Sequence, residues 1–283
     1  MRPDLAVVTV VRGRLDHLAA QQTALSAQET GHERVVVQMG GPDVRPALGA
    51  ADVTLVRLGA EPDRLPLAAA RNAGVAASTA AAVVLLDVDC IPAPTLLARY
   101  ADALTRVGGV VAGPVGYLPA GATTGGTAPE RLARLAVPHP ARPVPAAGQL
   151  RRELRYELLW SLSLAVSRAD WDRLGGFCED YTGYGGEDTD FAWTARRAGV
   201  PFHWVGGAWA WHQHHPVSDP PYEHLHDIVR NSELFHTRWG EWPMVGWLAA
   251  FRDAGLVEWE PTAARCRVTR SARVAAREGA VAW

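Results

Sequence analysis

The sequence predicts an α/β fold with a mostly parallel central sheet and helices on both faces. Short β-branched apolar runs alternate with helical stretches through the first third of the chain, an order that calls for parallel strands joined by crossovers. With 283 residues, 48% of them hydrophobic, the chain can bury the core of one large domain. Charged residues make up only 20%, which argues against a disordered chain.

The run Leu5–Val11 reads as a buried first strand, followed by helical composition over 15–28. Strands are expected at 34–38 and 53–57, then an Ala-rich helix at 67–79. A fourth strand, Ala82–Leu86, ends in Asp87, Val88 and Asp89. Ligands of open parallel sheets bind beyond the carboxyl ends of the strands, so chemistry is expected just after Val11 and just after Leu86. Residues 118–149 are rich in Pro, Gly, Ala and Thr with little periodicity, and predict a mobile loop. Order resumes over 160–166 and in a short helix at 169–174. The turn Gly175-Gly176-Phe177 and a helix over 187–198 follow. The Trp-rich tail from 231 onward is expected to be helical. These readings divide the chain into a main domain at 1–230 and a C-terminal extension at 231–283. Within the main domain the expected parts are 1–117, the mobile loop 118–149 and 150–220.

Composition excludes several classes of function. Net charge is -2 with scattered basic residues, so no nucleic-acid partner is expected. The chain contains no lysine, which rules out lysine chemistry. Cys90, Cys178 and Cys266 are odd in number and far apart, as reduced thiols of a cytoplasmic protein would be. No apolar run approaches the roughly 18 residues of a membrane span.

Three constellations carry chemistry. Asp87 and Asp89 close an apolar strand, and strand alternation would point them in opposite directions: one toward a nucleotide ribose, the other toward a Mn²⁺ or Mg²⁺ ion on a diphosphate. Capping of the next turn is the plainer account of such a pair. Gly183-Tyr184-Gly185-Gly186-Glu187-Asp188-Thr189-Asp190 opens a helix with three acids in its first turn. Helix capping needs only one, and a carboxylate desolvated there can serve as general base. The helix dipole is expected to keep Asp188 ionised at neutral pH. Trp209-Ala210-Trp211-His212-Gln213-His214-His215 concentrates imidazoles at metal-ligand density, although spacing does not say which of them ligates.

These motifs resemble the GT-A glycosyltransferases, a Rossmann-like fold, and within them the β-1,4-galactosyltransferase group, over about residues 5–220 apart from the predicted loop. The resemblance implies a metal-dependent transfer of sugar from a nucleotide diphosphate donor, a UDP-sugar, to the hydroxyl of a small-molecule or glycan acceptor, with inversion. It implies donor contacts at Thr9, Val11, Arg12, Arg14, Asn72, Asp87 and Val88, with Gly74 completing an Asn-x-Gly in a helix beside the nucleotide. Acceptor and sugar contacts fall at Trp160, Tyr184, Gly185, Gly186 and Glu187, and the catalytic base at Asp188. The metal falls to Asp89 and His212; Trp209 replaces the group's sulfur ligand, so the ion either has one fewer protein ligand or recruits His214. Tyr184 stands where the galactosyltransferases carry a Trp. A retaining transferase, a nucleotidylyltransferase and a non-catalytic sugar- or metal-binding module are the alternatives. Without lysine, the nucleotidylyltransferase is the weakest of them.

Overall fold

The computed structural model describes residues 5–50, 52–59, 64–216, 218–262 and 264–269. Four strands form the first half of the sheet: β1 (Leu5–Val11), β2 (His32–Met39), β3 (Thr54–Leu58) and β4 (Ala82–Leu86). All are parallel, with β1 between β2 and β4 and β3 outside β2. The helices α1 (Leu15–Ser26) and α2 (Leu67–Ala76) make two of the crossovers. Every residue of β1 and β4 is buried, as expected of strands covered on both faces.

Next come β5 (Cys90–Pro92), α3 (Leu96–Val107), β6 (Val110–Ala112), β7 (Val115–Tyr117), α4 (Pro129–Leu135), β8 (Val137–Pro138) and β9 (Leu150–Glu153). They are followed by β10 (Ser163–Ser167), α5 (Arg168–Leu174), α6 (Glu187–Arg197), β11 (Phe202–Val205) and β12 (Ala210–His212). The C-terminal part adds α7 (Leu225–Trp239), α8 (Val245–Asp253), β13 (Val257–Glu258) and β14 (Arg267–Val268). The eight-stranded sheet runs β3-β2-β1-β4-β10-β6-β11-β9, and a second sheet runs β5-β12-β7-β8. β10 lies antiparallel between β4 and β6, and β9 is an antiparallel edge on β11. The α/β class and the mostly parallel sheet are as expected.

Two expectations need correcting. The segment 118–149 holds α4 and β8, and β8 pairs with β7. Leu118, Ala122 and Leu132 are buried there against Ile91 and Trp211. A seven-residue helix starting on a proline is too short to show a period among Pro, Gly and Ala. The tail is also not simply helical. α7 runs across residue 231, so the expected boundary falls inside a helix, and the described part of the tail ends in the β13/β14 pair. Residues 270–283 lie outside the described residues.

The packing of α2 places everything that follows. A Cβ on Gly74 would stand 2.3 Å from Val8 Cγ1 and 2.9 Å from Val37 Cγ2, so the helix lies directly on β1 and β2. Gly74→Ala gains intrinsic helix propensity worth about 1 kcal/mol. It forces overpacking that costs about 1–3 kcal/mol against stiff β-branched neighbours. A net fall in thermal midpoint is expected; an unchanged or higher melting temperature would show that α2 can lift freely from the sheet.

Candidate functional site

The site begins where β4 ends. The Asp87 N–H donates to the Leu162 carbonyl (3.0 Å), and the Cys90 N–H closes a turn onto the Asp87 carbonyl (2.8 Å). Gln21, buried on α1, fastens this turn. Its amide nitrogen donates to the carbonyls of Asp87 (2.7 Å) and Cys90 (3.1 Å), while its oxygen accepts from Thr9 Oγ1 (2.9 Å). The two carboxylates do go to different partners. They are separated by this turn, whose intervening residue Val88 is buried, and not by the strand alternation expected from the sequence.

Asp89 is 6% exposed. It accepts from Arg14 Nη1 at 2.5 Å, and its two oxygens lie 3.4 Å from His212 Nε2 and 3.4 Å from His215 Nε2. Burial pushes its carboxyl up, but the His215 hydrogen bond and the His212 and Arg14 charges outweigh that and hold it at about 2. Burial lowers the pKa of His212 against the pull of Asp89, favouring the neutral imidazole that can ligate. Ligand atoms from Asp89, His212 and His215 all lie within 4.8 Å of one another. One carboxylate and two imidazoles suit a divalent ion of the Mn²⁺ type. The partner of His212 is therefore His215; His214 is exposed. A longer strand would have put residues 212 and 214 on one face, but β12 stops at His212. The Gln213 N–H then binds the Asp89 carbonyl (2.7 Å), and its side chain donates to the His17 carbonyl (3.1 Å).

On the other side of the turn, Arg71 reaches from α2 and is 4% exposed. Its Nη2 donates to Asp87 Oδ1 (3.2 Å) and its Nη1 to Glu187 Oε1 (3.0 Å), with the guanidinium 5.4 Å from the centre of the Phe177 ring. Glu187 Oε2 is buried without a hydrogen-bond partner among the described residues, an acceptor open to a ligand hydroxyl. Asp188, half-buried beside it, has its carboxyl raised to about 7 by desolvation and the Glu187 charge, against Arg71 and the Thr189 N–H. The expectation that Asp188 is fully ionised at neutral pH is thus corrected. At a helix N-terminus the dipole contributes no more than about 1–2 kcal/mol, and burial next to a second carboxylate is larger here.

The glycine run is shaped by α7. Gly183, Gly185 and Gly186 have φ of 74°, 89° and 94°, and a Cβ on Gly183 would meet Asp227 Oδ2 at 2.0 Å. Asn231 Nδ2 donates to the carbonyls of Thr182 (3.1 Å), Tyr184 (3.3 Å) and Gly185 (2.7 Å). Tyr184 is exposed and stacks on His224 with ring centres 4.4 Å apart. Asp190 is structural, accepting from Tyr181, Arg238 and Trp239.

Several anticipated donor contacts do not present side chains to this site. Thr9 and Val11 are buried, and Thr9 is committed to Gln21. The Asn72 amide is occupied by the Phe177 N–H (2.9 Å), the Phe177 carbonyl (2.9 Å) and Glu179 (2.8 Å). Its neighbour Arg71 is the residue of α2 that reaches the acids. Arg14 sits on Asp89, and Arg12 is half-buried. Trp160 is half-buried and donates to the Glu157 carbonyl (3.0 Å). Sequence reasoning missed Gln21, Arg71 and Asn231, and within the imidazole cluster it named His214 in place of His215. Arg71 carried a signal, as a charge inside the otherwise Ala-rich stretch Leu67–Ala76.

Residues 142–210 match a family described as the N-terminal domain of galactosyltransferase. A stretch of 86 residues is 28% identical to validoxylamine A glucosyltransferase of Streptomyces hygroscopicus subsp. jinggangensis (strain 5008), covering 30% of this chain and 19% of that protein. The chain therefore matches about a fifth of the length of that curated relative. Among solved structures, GalNAc-T7 with UDP, GalNAc and Mn²⁺ aligns with TM-score 0.58 and 15% identity, over 83% of this chain and 50% of the other. S. aureus TarS 1–349 in complex with UDP aligns with TM-score 0.57 and 13% identity, over 81% and 64%. The fold is that of the GT-A glycosyltransferases. In this GT-A chain, the turn after β4 and the glycine run before α6 meet at the carboxyl ends of the parallel strands, and the matches together support a glycosyltransferase. No helix among the described residues is long and apolar enough to cross a membrane.

The raised Asp188 pKa has a consequence for stability. The folded protein holds a proton that the unfolded chain has released above about pH 4. The associated stability is full below that pH and is lost as pH rises through about 7. Asp188→Asn cannot ionise, so its melting temperature relative to wild type should climb between pH 5 and 8. A difference that stays constant across that range would mean the carboxyl is not raised.

Proposed function

We propose that this chain is a metal-dependent, inverting glycosyltransferase, akin to the β-1,4-galactosyltransferase group, that uses a UDP-sugar and an acceptor hydroxyl. One observation carries the reading. The acidic turn places Asp89 in an Asp89–His212–His215 cluster, while its other carboxylate, Asp87, is tied through Arg71 to Glu187 beside Asp188. A metal centre and a candidate base thus share one rigid frame. UDP and Mn²⁺ in the described GT-A neighbours support the choice of donor and ion.

In this reading Asp89, His212 and His215 hold the ion, which supplies charge compensation to the donor diphosphate. Asp188 takes the acceptor proton as the acceptor oxygen bonds to the anomeric carbon and the bond to the diphosphate breaks. Glu187 Oε2 accepts a hydrogen bond from a sugar or acceptor hydroxyl, and Tyr184 supplies an apolar ring face. The transferase unit extends through α7, whose Asp227 and Asn231 buttress the glycine run.

The test is UDP release from a panel of UDP-sugars, with calorimetry of UDP and Mn²⁺. Asp89→Ala should lose metal-dependent UDP binding. Asp188→Asn should bind UDP within a few-fold of wild type and lose roughly 10²–10⁴ in turnover. Wild-type kcat/KM should rise with pH and level off above about 7, as Asp188 ionises. Full activity in Asp188→Asn would place the base elsewhere.

Arg14 holds Asp89 Oδ2, the oxygen that also faces His215, and so competes with an ion for the carboxylate. Arg14→Gln should therefore bind Mn²⁺ several-fold more tightly than wild type when titrated without nucleotide. Equal or weaker affinity would show that the pair does not oppose the metal.

A further inference from the structure

Arg142 is 5% exposed, and its Nε, Nη1 and Nη2 are all buried without a hydrogen-bond partner among the described residues. Its guanidinium is sandwiched between Trp160 and Trp204, 5.0 Å and 4.8 Å from their ring centres. Glu153, which accepts from Trp204 Nε1 of the same sandwich, is committed to Arg155. Arginine stays charged in proteins, so burial that lowers its pKa does not neutralise it. Cation–π contacts on two rings offset part of the desolvation but satisfy no N–H. A buried, unpaired planar fork of donors is poised for an oxyanion.

Its position says which site this belongs to. Trp160 meets His139 (5.0 Å), His139 meets Tyr117 (6.2 Å), and Tyr117 meets His212 (4.9 Å), a continuous line of rings from the candidate metal cluster to the guanidinium. Asp188 is among the charges that act on Arg142. We propose that Arg142 is the anchor of an oxyanion subsite, binding a phosphate or carboxylate in bidentate fashion once Trp160, the half-buried side of the sandwich, swings aside. The oxyanion is either the donor diphosphate or an acidic group on the acceptor. The assignment of that oxyanion to donor or acceptor rests on the transferase reading, whereas the subsite itself rests on the unpaired, buried guanidinium.

The experiment uses the full chain and the variants Arg142→Met and Arg142→Lys, with ligand-free melting and calorimetry against three probes. These are inorganic phosphate alone, UDP with Mn²⁺, and inorganic phosphate added to protein saturated with UDP and Mn²⁺. Removing an unpaired buried charge while keeping volume should leave the melting temperature of Arg142→Met equal to wild type or higher. Its affinity should fall at least tenfold for UDP with Mn²⁺ if the diphosphate is the ligand. The fall should instead appear for phosphate, alone or on the saturated protein, if the acceptor carries the anion. Arg142→Lys keeps the charge without the fork and should lose several-fold with the same probe, which keeps the test valid should the Met variant fail to fold. Wild-type failure to bind UDP with Mn²⁺ would sink the transferase reading, while the phosphate arm would still read Arg142. Wild-type affinity of both variants for all probes, or no binding of any probe by wild type, overturns the subsite. A lowered melting temperature with unchanged binding assigns Arg142 to packing alone.

Discussion

The site depends on one buried guanidinium. Arg71 lies on α2, which is pressed onto β1 and β2 at Gly74, and from there it hydrogen-bonds Asp87 on the turn after β4 and Glu187 at the start of α6. Burial alone would lower its pKa, and the charges of Asp87, Glu187 and Asp188 reverse that. A single cation thus faces three carboxylates, and its two hydrogen bonds go to Asp87 and Glu187. Asp188 is left with a charge at a distance and a like charge next to it. Its pKa is raised first by burial and then by the Glu187 charge, and the distant charge of Arg71 offsets only part of that.

The second half of the site is set by the small sheet. β12 pairs with β5 and β7 in a register that puts His212 opposite both Cys90 and Tyr117. Cys90 follows Asp89 directly, so the same ladder that builds the sheet brings the imidazole to the carboxylate. Val88, between the two acids in sequence, is buried in the core cluster of Val11 and Leu18, while Asp87 meets Arg71 and Asp89 meets the histidines. The two functions of one short turn therefore flank a core residue in sequence.

The strands were legible because β1 and β4 are unbroken apolar runs whose ends mark the ligand edge of a parallel sheet. The glycine run was legible because paired glycines stand directly before a helix with three acids in its first turn, more than capping requires. Features that depend on rotation or termination were not. Neighbouring residues on a helix differ by about 100°, so Asn72 and Arg71 face different surroundings, and only packing decides which one meets the acids. His214 and His215 exchange places because a strand ends one residue before alternation would have mattered. Asp188 looked ionised because the helix dipole was weighed above the neighbouring Glu187, both of them visible in sequence, whereas the depth of burial and the commitments of Arg71 are three-dimensional facts.

The C-terminal helix α7 is part of the same argument. Asn231 takes three carbonyls of the glycine run, Asp227 accepts the Tyr184 N–H (3.1 Å), and Arg238 and Trp239 bind Asp190 one turn into α6. Left-handed glycines lose more backbone entropy on ordering than other residues, so a run of them does not hold a shape unaided. Here the shape is imposed from outside, by donors aimed at the run's own carbonyls. The position of Glu187 and Asp188 is consequently set at both ends, by Arg71 from the sheet side and by α7 from behind. A change in α7 far from any ligand would move the acids as surely as a change in the glycines themselves.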